Sequence, residues 1–164
     1  MCIFSSCGQI VFGCIMLLCL ALTGTATFYG SSGRLISWDC VTDYRQCDPF
    51  ETRYIDEMRV VATFMCLALI SEIACLIWNF VTFCACCWKQ YIIHPLILLS
   101  FFTITFLLVA VIAYAVSYKG NTGYYTYDTD EYGFAFWLAV SALILAGVDV
   151  AVASVTVCLG ERGL

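Results

Sequence analysis

The sequence predicts an all-α membrane domain of four transmembrane helices, and three observations predict it. The 164 residues are 63% hydrophobic and only 12% charged, with a mean hydropathy of +0.94, whereas soluble domains carry about twice that share of charge. The apolar residues fall into four blocks, at about 10–28, 60–83, 96–118 and 134–159. Each is long enough to cross ~30 Å of hydrocarbon as a helix. Most of the acids sit in the connectors at 29–59 and 119–133. One membrane domain therefore fills residues 1–164. A net charge of −5 argues against a nucleic-acid partner, which needs a basic footprint, and leaves membrane lipids and other membrane proteins as the natural neighbours.

Block one contains Gly13, Ala21, Gly24 and Ala26, small residues that let another helix come close. No basic side chain precedes it, and its apolar run is too long for a cleavable signal core. It reads as a span that also targets the chain. The connector at 29–59 is polar and carries Trp38 with the closely spaced Cys40 and Cys47. Leu35 to Val41 alternates loosely, as a short strand does. Pro49 breaks that pattern, and Glu51 to Met58 reads as a helical lead into block two. Glu72 and Asn79 interrupt block two. The connector at 84–95 is short and holds Cys84, Cys86, Cys87 and His94-Pro95. Block three is almost purely apolar, with Thr103 and Thr105 able to bond back to their own helix. The connector at 119–133 is tyrosine-rich and acidic, with Asp128, Asp130 and Glu131. Block four carries Ala142-x-x-x-Ala146 and Gly147-x-x-x-Ala151 around Asp149, the small-residue spacing of tight helix contacts.

Four spans place both ends of the chain on one side. Arg34, Arg45, Arg53, Arg59 and Lys119 flank the first and third connectors, against Lys89 and Arg162 on the other face. Taken alone, the positive-inside rule puts the termini outside. The cysteines give the opposite answer. A Cys40–Cys47 bridge requires an oxidising exterior, and the cluster at Cys84, Cys86 and Cys87 suits a reducing cytosol. We follow the cysteines and expect a multi-pass plasma-membrane protein with cytosolic termini.

Several groups carry more than one reading. Cys40 and Cys47 either form a bridge that shapes the first connector or remain two free thiols. A carboxylate near mid-membrane costs at least ~2.5 kcal/mol, and no Lys, Arg or His lies inside any block to offset Glu72 and Asp149. Each acid is protonated and bonded to a neighbouring helix, or meets a partner chain, or lines a proton or ion path. With Ala142, Ala146, Gly147 and Ala151 they form the candidate partner contact. Cys84, Cys86, Cys87 and Cys158 are juxtamembrane and suit S-palmitoylation. Cys84-x-x-Cys87 also has dithiol spacing, and His94 could join a zinc site, but the spacing supports either weakly, so no metal or cofactor is expected. Asp39, Asp43, Asp48, Asp128, Asp130 and Glu131 form a candidate extracellular acidic surface.

Four spans, a first outer connector with Trp38, Cys40 and Cys47, and Arg59 at the mouth of span two resemble the claudin superfamily. That group comprises claudins, peripheral and epithelial membrane proteins, the lens fibre membrane protein and gamma-type channel subunits. Its Gly-Leu-Trp-x-x-Cys pattern corresponds here to Ile36-Ser37-Trp38-Asp39-Cys40, with one residue between Trp and Cys instead of two. Tyr132-Gly133-Phe134 matches the entry to the fourth span. The resemblance implies a left-handed four-helix bundle with a small extracellular β-sheet from the first and third outer connectors, and a structural Cys40–Cys47 disulfide.

Three function classes follow. The first is a non-catalytic auxiliary subunit packing against and modulating a larger membrane protein such as an ion channel or receptor. The second is a junction protein that self-associates through its outer loops. The third is a thiol oxidoreductase linking Cys84 and Cys87 to Cys40 and Cys47, which the expected topology rules out by placing the pairs on opposite sides of the membrane and which survives only if Cys84 and Cys87 lie outside. The short first connector and the ending Gly160-Glu161-Arg162-Gly163-Leu164, unlike the Tyr-Val terminus of junction claudins, favour the subunit.

Overall fold

The computed structural model describes residues 2–29, 35–43, 45, 55–84, 89–121 and 133–161. Its helices are α1 (Cys2–Phe28), α2 (Trp38–Thr42), α3 (Ile55–Cys84), α4 (Lys89–Asn121) and α5 (Phe134–Glu161). The four long ones contain apolar stretches of 21, 28, 22 and 22 residues that are long enough to cross a membrane. All four expected spans are present, and each helix extends past its apolar block. α4 starts seven residues early and runs through His94-Pro95, which the sequence reading placed in a loop. A proline near a helix start removes one backbone bond, here to the carbonyl of Tyr91, and does not end the helix.

Among the described residues there is no strand. Leu35 to Val41, expected as a strand, instead leads into the single helical turns of α2. Ser37 occupies the N-cap position without a side-chain capping bond, and Asp39 in the first turn favours a helix start. Thr42 then donates its hydroxyl to the carbonyl of Trp38 at 2.8 Å. The third connector lies outside the described residues.

Neighbouring long helices run antiparallel. Tyr29 at the end of α1 meets Phe134 at the start of α5, and Tyr114 of α4 stacks on Phe136 of α5. Phe64 of α3 packs on Phe106 of α4. The principal contacts close a ring in the order α1, α3, α4, α5.

Buried positions recur with alternating spacings of three and four. On α1 they are Gln9, Phe12, Met16, Cys19, Thr23 and Ala26, and on α4 Leu96, Ser100, Thr103, Leu107 and Ala110. On α5 they are Ala135, Ala139, Ala142, Ala146, Asp149 and Ala153. This is the 3.5-residue repeat that keeps one seam of each helix against its neighbours. Alanine holds every seam position of α5 but one, so its neighbours can approach closely. The outward faces carry Leu17, Leu18, Ile70, Ile77, Phe80, Phe101, Ile112 and Ile144. An interior with acids and hydroxyls under an apolar exterior inverts the pattern of a soluble bundle and suits hydrocarbon surroundings.

Candidate functional site

The interior polar groups sit on seam positions of different helices. Glu72 of α3 is fully buried. Its Oε1 accepts the Thr23 hydroxyl of α1 at 2.9 Å and the Cys19 thiol at 3.3 Å. Side chains on a helix lean toward its N-terminus, so Glu72 leans toward the Phe28 end of α1, where Thr23 lies. The Cys19 sulfur is also 3.3 Å from the carbonyl oxygen of Ala142, which ties α1 to α5 at the same level. Between α3 and α4, Thr103 donates to Ser71 at 2.8 Å.

Two turns along α3 from Glu72, toward the N-terminus of α1, Asn79 donates its Nδ2 to the carbonyl of Gln9 at 3.3 Å. Gly13 makes that approach possible, because a Cβ there would lie 2.9 Å from Asn79 Nδ2. Glu72 Oε2, both oxygens of Asp149, Ser100 Oγ, Gln9 Oε1 and Asn79 Oδ1 are buried without a hydrogen-bond partner. Such an arrangement can hold a proton, water or a cation. It offers no activated nucleophile. Among the described residues no group of three His, Cys, Asp or Glu could hold a metal ion.

At the other end of α1, Trp38 fixes the first connector. Its indole Nε1 donates to the carbonyl of Thr27 at 2.8 Å, and its ring stacks on Phe28 at 5.7 Å. The last carbonyls of a helix have no partner within it, and the indole supplies one. Leu35, Ile36 and Cys40 are buried beside this contact, while Asp39 and Asp43 face outward. Cys40 is disulfide-bonded, and Cys47 lies outside the described residues. Arg59 is exposed and 4.0 Å from Asp56 one turn earlier, a surface pair of small energetic weight.

The expected partner contact divides in two. Glu72, Asp149, Ala142 and Ala146 are 0 to 2% exposed and pack inside their own bundle. Glu72 packs at the α1–α3 interface and Ala142 against Cys19 of α1, so these positions face helices of the same chain. Gly147 and Ala151 are exposed, and a Cβ on Gly147 would meet nothing within 4 Å. Cys84 and Cys158 lie near the ends of α3 and α5. Cys86, Cys87, Asp48, Asp128, Asp130 and Glu131 lie outside the described residues. Sequence reasoning missed Thr23 and Cys19 as partners of Glu72. Their seam spacing was the available signal, since each falls on the same stripe as Met16.

Compared with protein-family models, curated proteins and solved structures, the chain matches none.

Proposed function

We propose that this chain is a non-catalytic, claudin-like membrane protein that packs beside a larger membrane protein, such as an ion channel or receptor, and tunes it. On this reading it lies in the plasma membrane with both termini cytosolic. The observation that carries the proposal is the Trp38 anchor, which fastens the first connector to the end of α1 and leaves Asp39 and Asp43 outward. Residues 35–43, held in this way, present one fixed surface to a neighbour.

Three further features belong to the same reading. Spacings of three and four along each seam are the repeat that winds helices into a left-handed bundle. Cys40 is disulfide-bonded, and on this reading its partner would be Cys47. The exposed Gly147 and Ala151 give α5 a shallow outer face on which another span can lie closely. Palmitoylation of Cys84, Cys86, Cys87 and Cys158 would hold the cytosolic ends against lipid, and the family's small sheet would draw on connector residues beyond those described.

The test is purification of the tagged chain in mild detergent, followed by mass spectrometry of what accompanies it. A larger membrane protein in fixed ratio, lost when Gly147 and Ala151 are both changed to leucine, is the expected result. The exposed Asp39 and Asp43 also suit a junction protein that adheres between cells. Self-assembled polymers at cell contacts, with no larger partner, would establish that second reading.

A further inference from the structure

The Cys19 thiol sits between two acceptors on different helices. Its sulfur lies 3.3 Å from Glu72 Oε1 of α3 and 3.3 Å from the carbonyl oxygen of Ala142 of α5. Cys19 is fully buried and forms no disulfide. A thiol carries one hydrogen, so it makes one of these two bonds at a time. The equal distances leave the choice to the relative strength of the acceptors.

That strength depends on Glu72. Its Oε1 also accepts the Thr23 hydroxyl at 2.9 Å, while Oε2 is buried with no hydrogen-bond partner. Both donors therefore converge on one oxygen, and Oε2 is the oxygen open to a proton. A hydrogen bond to an ionised acceptor is about twice as strong as one between neutral groups. An ionised Glu72 thus draws the thiol hydrogen to α3. Once a proton from water joins Oε2, Oε1 becomes the carbonyl oxygen of a neutral acid, and Thr23 satisfies it. The Ala142 carbonyl, a peptide oxygen with a second lone pair beyond its helical bond, is then the better acceptor. α1 lies between α3 and α5 in the ring, so the thiol ties it to one neighbour or the other.

We propose that Cys19 is a proton-controlled latch: protonation of Glu72 moves the thiol's hydrogen bond from α3 to α5, and ionisation returns it. The step passes one proton between water and Glu72 Oε2 and leaves the S–H bond of Cys19 intact. The other titratable groups within electrostatic reach are Asp149 on α5, which acts on Cys19, and Cys75 on α3, which feels both acids. α4 contributes the hydroxyls of Ser100 and Thr103 beside Cys75. The basic side chains described, Arg45 and Arg59, are both exposed. The latch needs no partner protein, so its test is separate from that of the proposed assembly.

The experiment is infrared spectroscopy of the full chain in lipid nanodiscs between about pH 5 and about pH 9. The S–H stretch absorbs apart from other protein bands and falls in frequency as its hydrogen bond strengthens. The band lost in Cys19→Ala identifies the Cys19 thiol. That band should fall in frequency as the pH rises, in step with the loss of a protonated-carboxyl band. In Glu72→Gln it should stay at its acid-side frequency throughout, and in Asp149→Asn the fall should persist. Thr23→Val keeps the carboxyl and the thiol but takes one donor from the carboxylate, so the change should come with about tenfold less acid. A wild-type band at one frequency across the range overturns the proposal, as does a fall that survives in Glu72→Gln or disappears in Asp149→Asn. Should Glu72→Gln not fold, an unmoved transition in Thr23→Val overturns it equally.

Discussion

Thr23 shows how much a single hydroxyl does in this interior. It supplies the shorter of the two bonds that reach Glu72 Oε1 across the α1–α3 interface. A carboxyl with no donor would be expensive at that depth. Thr23→Val keeps the shape and removes the donor, so stability should fall by about 1 kcal/mol, and Thr23→Ser should restore most of it. Reversible unfolding in mixed micelles measures both. Equal midpoints for the valine and serine variants would show that Glu72 takes no support from the Thr23 hydroxyl. Gly13 makes the complementary point, because its lack of a side chain is what admits Asn79.

At the scale of the element, α2 matters out of proportion to its five residues. Trp38→Phe preserves a ring against Phe28 and deletes the indole bond to Thr27. The amides of α2 should then exchange with solvent about fivefold faster, corresponding to about 1 kcal/mol, while those of α1 and α3 keep their protection. The same element marks a limit of what could be read in advance. Four apolar blocks longer than 18 residues have one outcome in lipid, so the spans were legible. Seven residues of loose alternation were not, because Asp39 in a first turn and the burial of Leu35 and Ile36 decide that segment. Glu72 and Asp149 stood out as buried acids in the sequence. Which residues faced them depended on register between helices far apart in the chain, and the small residues of block four could not be assigned to inside or outside by spacing alone.

For the whole molecule, the division of α5 into an inner and an outer small-residue stripe gives a direct comparison. Ala142→Leu forces a large side chain against Cys19 and should lower stability by about 1–3 kcal/mol. Gly147→Leu points into open space and should change it by no more than about 0.5 kcal/mol. Unfolding midpoints of the two variants check the arrangement of the ring. Loss of a partner protein in Gly147→Leu with the fold intact would separate assembly from folding. The anchor and the buried acid also meet on one stretch of α1. Thr23 holds Glu72, Thr27 bonds back to the carbonyl of Thr23 at 2.7 Å, and the carbonyl of Thr27 holds Trp38. Because one helical turn carries both attachments, α1 works as a shaft. A rotation of α1 that releases Glu72 would also turn the carbonyl that holds Trp38, and a torque applied to α2 would be felt at the acid.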